Sequence, residues 1–322
     1  MLCNTTLPSV TWNYVMGGLS IFNAVTASVE NTAALFVLFW YKNLHTLSNR
    51  LLTSLAISDL LAGLTIAPIQ AAQLLNSRLN NNCGLNEIRR YLCTLLIGAS
   101  ALSIGAISYD RYLHMSKLNN YNMHMNSRKI AVLFFLAWFI PALIPFLRYL
   151  DKSENSYGIV VIVILVNILA TIVGCYLMII IALRKNSSST NAVSEASLRR
   201  QMQATKTVII IITCYIVMIL PICVYLIINM VLHDIHPTDL TAIYLVVMTI
   251  GTLNSSLNPV IYYFRNPYFR SNTKKLLSGD FRRGTAKARD SIQESSTSQT
   301  QTDSNRSSHG SEKSISTICD LD

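Results

Sequence analysis

Two polar clusters stand where long apolar runs of the chain end. Asp110-Arg111-Tyr112 closes the third run, and Asn258-Pro259-Val260-Ile261-Tyr262 closes the seventh. Asp59, within Leu55-Ala56-Ile57-Ser58-Asp59-Leu60, falls in the middle of the second run, and Glu30 lies inside the first. Ionisable groups inside apolar segments are costly and by default mark ion sites, relays or switches. Arg111 cannot deprotonate, so burial obliges it to find a partner; a structural arginine at the membrane interface is the plainer reading. Ser100 precedes Arg111 by 11 residues, close to three helical turns, so the two face one way. Asn254, Asn258 and Tyr262 recur every four residues and make a polar stripe. A carboxylate at Asp59 opposite Ser100, Asn254, Ser255 and Asn258 offers hard oxygen ligands for a small cation. A protonated Asp59, hydrogen-bonded between helices, is the alternative.

A second constellation lies at the other end of the third run. Arg89, Cys93, Ile97 and Ser100 share a face with Arg111, and the 22 residues from Arg89 to Arg111 span about 33 Å of helix. Arg89 and its neighbour Arg90 therefore stand at the far mouth, where they favour an anionic group. Below them, Cys93, Ile97, Ile222, Cys223, Leu226, Tyr244 and Met248 outline a mostly apolar pocket. Arginines that merely snorkel to lipid headgroups fit equally well.

These residues need elements that cross a membrane. The chain has 322 residues, 51% hydrophobic and 13% charged, with a mean hydropathy of +0.39; this is too apolar for an ordinary soluble protein. Seven stretches, residues 14–41, 48–75, 85–115, 129–150, 157–183, 205–232 and 240–264, each reach the roughly 20 residues that span a bilayer as a helix. Helices are required because backbone groups in lipid must bond internally. The expected organisation is an outer N-terminus over residues 1–13, a membrane domain over 14–264, a segment on the inner membrane surface over 265–280 and a tail over 281–322. In that segment Phe269, Leu276 and Leu277 alternate with Arg270, Lys274 and Lys275, as in an interfacial amphipathic helix. Residues 291–318 are Ser, Thr and Gln with scattered charges, which predicts disorder. Pro68, Pro141, Pro145, Pro221 and Pro259 fall inside spans, each a predicted kink.

The net charge of +10 is a matter of topology rather than of nucleic acid. Of the 26 Lys and Arg, 21 fall on one side of the seven stretches and 5 on the other, which puts the tail inside and the N-terminus outside. The basic excess also holds anionic membrane lipid. The first twelve residues carry no Lys or Arg, so a removable signal peptide is not expected. Asn4-Thr5-Thr6 fits a glycosylation acceptor on the outer side. Of the seven cysteines, Cys3 and Cys83 face the oxidising side and are the candidates for a bridge. The six histidines are scattered over loops and ends, and no nucleophile or metal set is assembled, so no enzyme is expected. A transporter would show repeated halves or broken helices with midplane charges, and the sequence shows neither.

The two closing clusters, on the third and seventh of seven spans, resemble the signature of rhodopsin-like (class A) G-protein-coupled receptors over residues 14–277. The resemblance implies an all-α membrane protein: a seven-transmembrane helix bundle with a short amphipathic eighth helix, in the plasma membrane. It implies sodium as the cation at Asp59, and no other cofactor. It implies that Asp110 holds Arg111 at rest, and that Arg111 swings toward Tyr176 and Tyr262 when the sixth helix, kinked at Pro221, moves outward to admit a heterotrimeric G protein. Receptor kinase and arrestin acting on the tail follow from the same likeness. Asn31 and Trp138 match family positions in the first and fourth helices.

The chain also departs from the pattern. Residues 148–156 are short and lack the cysteine that usually bridges to the third helix. Met218-Ile219 stand where Cys-Trp is common, leaving Tyr215 as the substitute aromatic, and Ile168 replaces a usual proline. These absences, with the ending Asn258 to Arg265, are similar to the melanocortin-related branch, which includes lipid and cannabinoid receptors. Amine receptors place an Asp where Cys93 stands, so the expected ligand is a peptide or an anionic, lipid-like small molecule. Thr252 occupies the position of a retinal lysine, which excludes a Schiff base. A constitutively active or non-retinal opsin-related receptor is the neighbouring reading, and a polytopic transporter the one from another class.

Overall fold

The computed structural model describes residues 9–116, 124–146, 192–231, 237–265 and 267–279, together with 159, 162–163, 165–167, 169–171, 173–178 and 181. The helices in chain order are α1 (Val10–Trp40), α2 (Leu47–Leu64), α3 (Ile66–Leu75), α4 (Ser77–Asn80), α5 (Cys83–Ser116), α6 (Ser127–Leu143), α7 (Leu165–Met178), α8 (Ala192–Val231), α9 (Pro237–Arg265) and α10 (Pro267–Leu277). Among the described residues, six helical segments are long and apolar enough to cross a membrane, and α7 is a shorter apolar helix between the fourth and fifth of them.

Local chemistry sets the boundaries. Ser9 accepts from the Trp12 amide at 3.3 Å, Thr46 from Asn49 at 3.3 Å and Asn126 from Lys129 at 2.9 Å, so each helix starts at its cap, one to four residues before the apolar run begins. α9 opens on Pro237 and α10 on Pro267, the position where a missing amide costs nothing. The second span is broken: Thr65 leaves helical geometry (φ −123°, ψ −64°) between α2 and α3. Pro68 explains the site, since its ring clashes with the carbonyl four residues back, at Leu64. In the fourth span the described residues end in a 3-10 turn at Ile144–Phe146 around Pro145, and the expected boundary at residue 150 lies outside the described residues. Pro141, Pro221 and Pro259 stay inside their helices.

α8 departs most from expectation. Its 40 residues extend about 60 Å, twice the hydrocarbon thickness of about 30 Å. Arg199 and Arg200, which precede the expected stretch 205–232, therefore lie on a helix that continues past the membrane.

The bundle is apolar outside and polar within. Phe22, Val29 and Phe39 are 61 to 63% exposed, whereas Asn31, Ser58 and Asp110 have 0% exposure. Water would demand the reverse; lipid around the bundle accounts for both. Without a hydrophobic drive between helices, close packing of small residues does the joining. A Cβ at Gly63 would lie 2.9 Å from Ala27 Cβ and 3.0 Å from the Ser28 nitrogen, so the α1–α2 crossing needs glycine there. α1 packs on α2, α3 and α9; α5 lies between α2 and α6; α8 packs on α9; and α10 folds under α9 and α1. Phe269 of α10, 5% exposed, joins the main apolar core.

Candidate functional site

At the foot of α5, Arg111 Nη2 lies 3.2 Å from Asp110 Oδ2, with Asp110 buried and Arg111 nearly so. Adjacent residues of a helix point about 100° apart, so the pair closes only because the long guanidinium stem folds back. Tyr112 packs against the main core, and its ring lies 6.4 Å from Tyr109. His114, one turn on, meets Ser48 of α2 at 3.3 Å. Tyr176 is half-buried on α7 and takes no part in the described pairing of Arg111. The Tyr262 side chain lies outside the described residues, as do Cys3, Asn4 and residues 280–322.

Above this pair is a small cavity with Asp59 in its wall. Asp59 of α2 is 1% exposed and accepts a 2.7 Å hydrogen bond from Asn258 Nδ2 of α9. The hydroxyls of Ser255 and Ser100 face the same carboxylate, although Ser100 Oγ falls short of full hydrogen-bond geometry. Asp59, Ser100, Asn254 and Ser255 line a cavity of about 20 Å³ with Tyr215, Met218 and Ile219 of α8. That volume holds one water-sized occupant. Ser100 Oγ, Asn254 Oδ1, Asn258 Oδ1 and the Tyr215 hydroxyl are buried without a hydrogen-bond partner among the described residues. Buried acceptors are normally satisfied, and a set of unsatisfied oxygens around a carboxylate suits a small hard cation. All five sequence-derived cation residues thus converge, and Tyr215 joins them from the sixth helix.

A second polar seam runs between α1 and α9. Ser256 Oγ donates to Asn23 Oδ1 at 2.6 Å and lies 2.9 Å from Thr26 Oγ1. Asn31 Nδ2 donates to the carbonyl oxygens of Ala27 and Ser255, both at 2.9 Å. Asn23 and Ser256 went unnoticed in the sequence, although Ser20, Asn23, Ala27 and Asn31 recur every three to four residues, the signal of a buried face. Glu30, beside this seam, has a buried Oε2 without a hydrogen-bond partner among the described residues. Trp138 Nε1 donates to Ser54 Oγ at 3.1 Å, and Ser54 meets Ser103 at 2.9 Å, tying α6 to α2 and α5.

At the opposite end of α5, Arg89 turns inward. Its Nη1 donates to the Tyr244 hydroxyl at 2.8 Å, and its Cζ lies 5.4 Å from that ring's centroid. Tyr244 in turn lies 5.4 Å from the Tyr225 ring. Cys93 and Met248 are buried together, with Ile97 and Tyr244 against them. Ile222 and Leu226 belong to the main core, while Cys223 and Arg90 are half-buried. The sequence reading missed Tyr225 and also Gln70, whose Nε2 donates to Thr249 Oγ1 at 2.8 Å and whose Oε1 is left buried without a hydrogen-bond partner among the described residues. Cys83, at the start of α5, is disulfide-bonded, whereas Cys93, Cys175, Cys214 and Cys223 are free.

Comparison with known proteins identifies the family. The family described as 7 transmembrane receptor (rhodopsin family) matches residues 30–155 and 147–262. Trace amine-associated receptor 5 of Mus musculus is 27% identical over 273 residues, covering 77% of this chain and 80% of that protein. Trace amine-associated receptor 1 of Homo sapiens is 24% identical over 298 residues, covering 81% and 86%, and trace amine-associated receptor 9 of Homo sapiens is 23% identical over 292 residues, covering 80% and 83%. With a seven-helix family matched over most of its length and its two membrane-edge clusters intact, the chain belongs to the rhodopsin family of seven-transmembrane receptors: a multi-pass plasma-membrane G-protein-coupled receptor, not an enzyme.

Proposed function

We propose that the receptor is switched by an extracellular small molecule bearing an anionic group, bound between α5, α8 and α9 with that group on Arg89. The inward turn of Arg89 onto Tyr244 carries this reading. A snorkelling arginine would reach for the headgroups; this one stays over an aromatic ring, with Cys93 one turn below. Arg89 Nε is buried without a hydrogen-bond partner among the described residues, a donor free for a carboxylate or phosphate oxygen. Apolar Met248 and Ile97 beneath it suit a lipid-like body; a peptide with an acidic end meets the same group.

The signal passes to a heterotrimeric G protein by release of Arg111 from Asp110, toward Tyr176 and Tyr262, as α8 pivots at Pro221 and α9 at Pro259. Asp59, Ser100, Asn254, Ser255 and Asn258 would hold a sodium ion, whose charge would balance the Asp59 carboxylate in the resting state. The N-terminus lies outside, with Asn4 glycosylated and Cys3 as the partner of Cys83. Receptor kinase and arrestin act on the Ser- and Thr-rich tail, and membrane lipid surrounds the bundle.

An amine ligand is the second reading, favoured by the names of the trace amine-associated receptors. An ammonium group at this mouth meets Arg89, a like charge, and finds Cys93 rather than a carboxylate below. A panel of anionic lipids, acidic peptides and amines on expressing cells, read by G-protein activation, separates the two. Anionic agonists that lose about tenfold or more in potency on Arg89→Ala, the cost of one charge-assisted contact, support the proposal. Activation by amines with Arg89→Ala potency unchanged overturns it.

A further inference from the structure

Three side chains of α8 reach the wall of the Asp59 cavity: Tyr215, Met218 and Ile219. Tyr215 alone among them brings an oxygen. Its ring packs in the main apolar core with Ile211 and Ile212, the residue is 4% exposed, and its hydroxyl is buried without a hydrogen-bond partner among the described residues. Burying an unpaired hydroxyl is unfavourable, and phenylalanine would fill the same apolar space without that penalty. Packing therefore does not account for the oxygen.

The facing wall does. Asp59 Oδ2 accepts from Asn258, and the Asp59 charge acts on the Tyr215 hydroxyl, yet no hydrogen bond joins the two. The cavity they share measures about 20 Å³, room for one water-sized occupant. Ser100 Oγ and Asn254 Oδ1 belong to the same wall and are likewise unpaired among the described residues. A phenol oxygen can accept as well as donate. Set across so small a space from a carboxylate, with two further unpaired oxygens beside it, it is arranged to share one occupant with Asp59. The helices α2, α5 and α9 each supply an oxygen to this wall; without Tyr215, α8 would supply none.

We infer that the Tyr215 hydroxyl is a further ligand of the cation at Asp59, and the tie through which that ion restrains α8. The inference rests on the sodium reading proposed above. Tyr225 of α8 lies against Tyr244, the partner of Arg89, so α8 runs toward the Arg89 end of the bundle. Tyr215, six residues before Pro221, stands about 9 Å along the helix on the Arg111 side of that proline. A pivot at Pro221 that swings this side outward draws the oxygen away from the ion. The bound ion opposes the swing and the swing weakens the ion, because coupling between sites is reciprocal.

The test reads ion binding rather than signalling. Thermal unfolding of purified full-length receptor is followed as sodium chloride replaces choline chloride at constant ionic strength, for wild type, Tyr215→Phe and Asp59→Asn. Wild type should melt higher as sodium rises, and Asp59→Asn should not respond. Tyr215→Phe should need about tenfold more sodium for half of the effect, the scale of one lost contact to a charge. In choline alone it should melt no lower than wild type, since it loses only an unpaired hydroxyl; a merely structural tyrosine would show its loss there and leave the sodium midpoint in place. An unchanged midpoint in Tyr215→Phe, with the Asp59→Asn response abolished, overturns the inference and leaves the sodium reading standing. Tighter sodium binding in Tyr215→Phe, the mark of a hydroxyl that competes for Asp59, overturns it as well. A wild type indifferent to sodium removes both.

Discussion

Asn31 supplies to Ser255 the hydrogen bond that Pro259 withholds. Four residues before Pro259, the Ser255 carbonyl has no amide to bond within α9, and Asn31 Nδ2 meets it from α1 at 2.9 Å. A proline kink in lipid must have its freed carbonyl satisfied by a neighbour, and here the first helix satisfies the seventh beside Asp59 and Asn258. Asn31→Ala should leave that carbonyl buried and unpaired, lowering thermal stability in detergent by about 1 to 3 kcal/mol. Pro259→Ala restores the backbone bond, so the double variant should lose less than the sum of the two. Strict additivity in that cycle contradicts the assignment.

The Asp59 cavity makes a prediction about ions. Replacing sodium with a bulky organic cation at constant ionic strength should raise agonist affinity in the wild-type receptor by about fivefold or more, the usual scale of coupling between sites. Asp59→Asn keeps a hydrogen-bonding side chain beside Asn258 but removes the charge, and should flatten the response. An unchanged wild-type affinity across the exchange removes sodium from the account.

Two glycines sit at helix contacts of different hardness. A Cβ at Gly63 meets Ala27 Cβ and the Ser28 backbone, whereas one at Gly251 meets Ile222 Cδ1 at 2.6 Å, the free end of a side chain. Gly63→Ala should therefore cost about 1 to 3 kcal/mol, the range for overpacking, and Gly251→Ala distinctly less because Ile222 can turn away. Melting temperatures of the two purified variants check the order, and the reverse order contradicts the packing.

Which features the sequence disclosed follows from what lipid does to patterning. Asp59, Asp110, Arg111 and Asn258 were legible because charge and amide groups inside apolar runs have few explanations, and helical spacing put Ser100 and Asn254 beside them. Apolar residues gave no such guidance: Phe22 faces lipid and Ile66 faces the core, yet both are simply hydrophobic. Inner faces were read only where polar residues marked them, as Ser100 does on α5 and Asn254 on α9, while the equally polar Ser20 and Asn23 of α1 were passed over. Helix ends moved because Ser9, Thr46 and Asn126 act through one local hydrogen bond that hydropathy does not see. The length of α8 was hidden for a related reason: its first dozen residues mix Ser, Glu, Arg and Gln with isolated apolar side chains, and a search for apolar runs stops there.

The central claim is that Arg111, held by Asp110 at 3.2 Å, is the element that ligand binding releases toward the G protein. Arg111→Ala tests it most directly, with surface expression, ligand binding and G-protein activation measured on the same cells. The account predicts a receptor that reaches the surface and binds its agonist but no longer activates the G protein. Agonist-driven activation equal to wild type in that variant contradicts it.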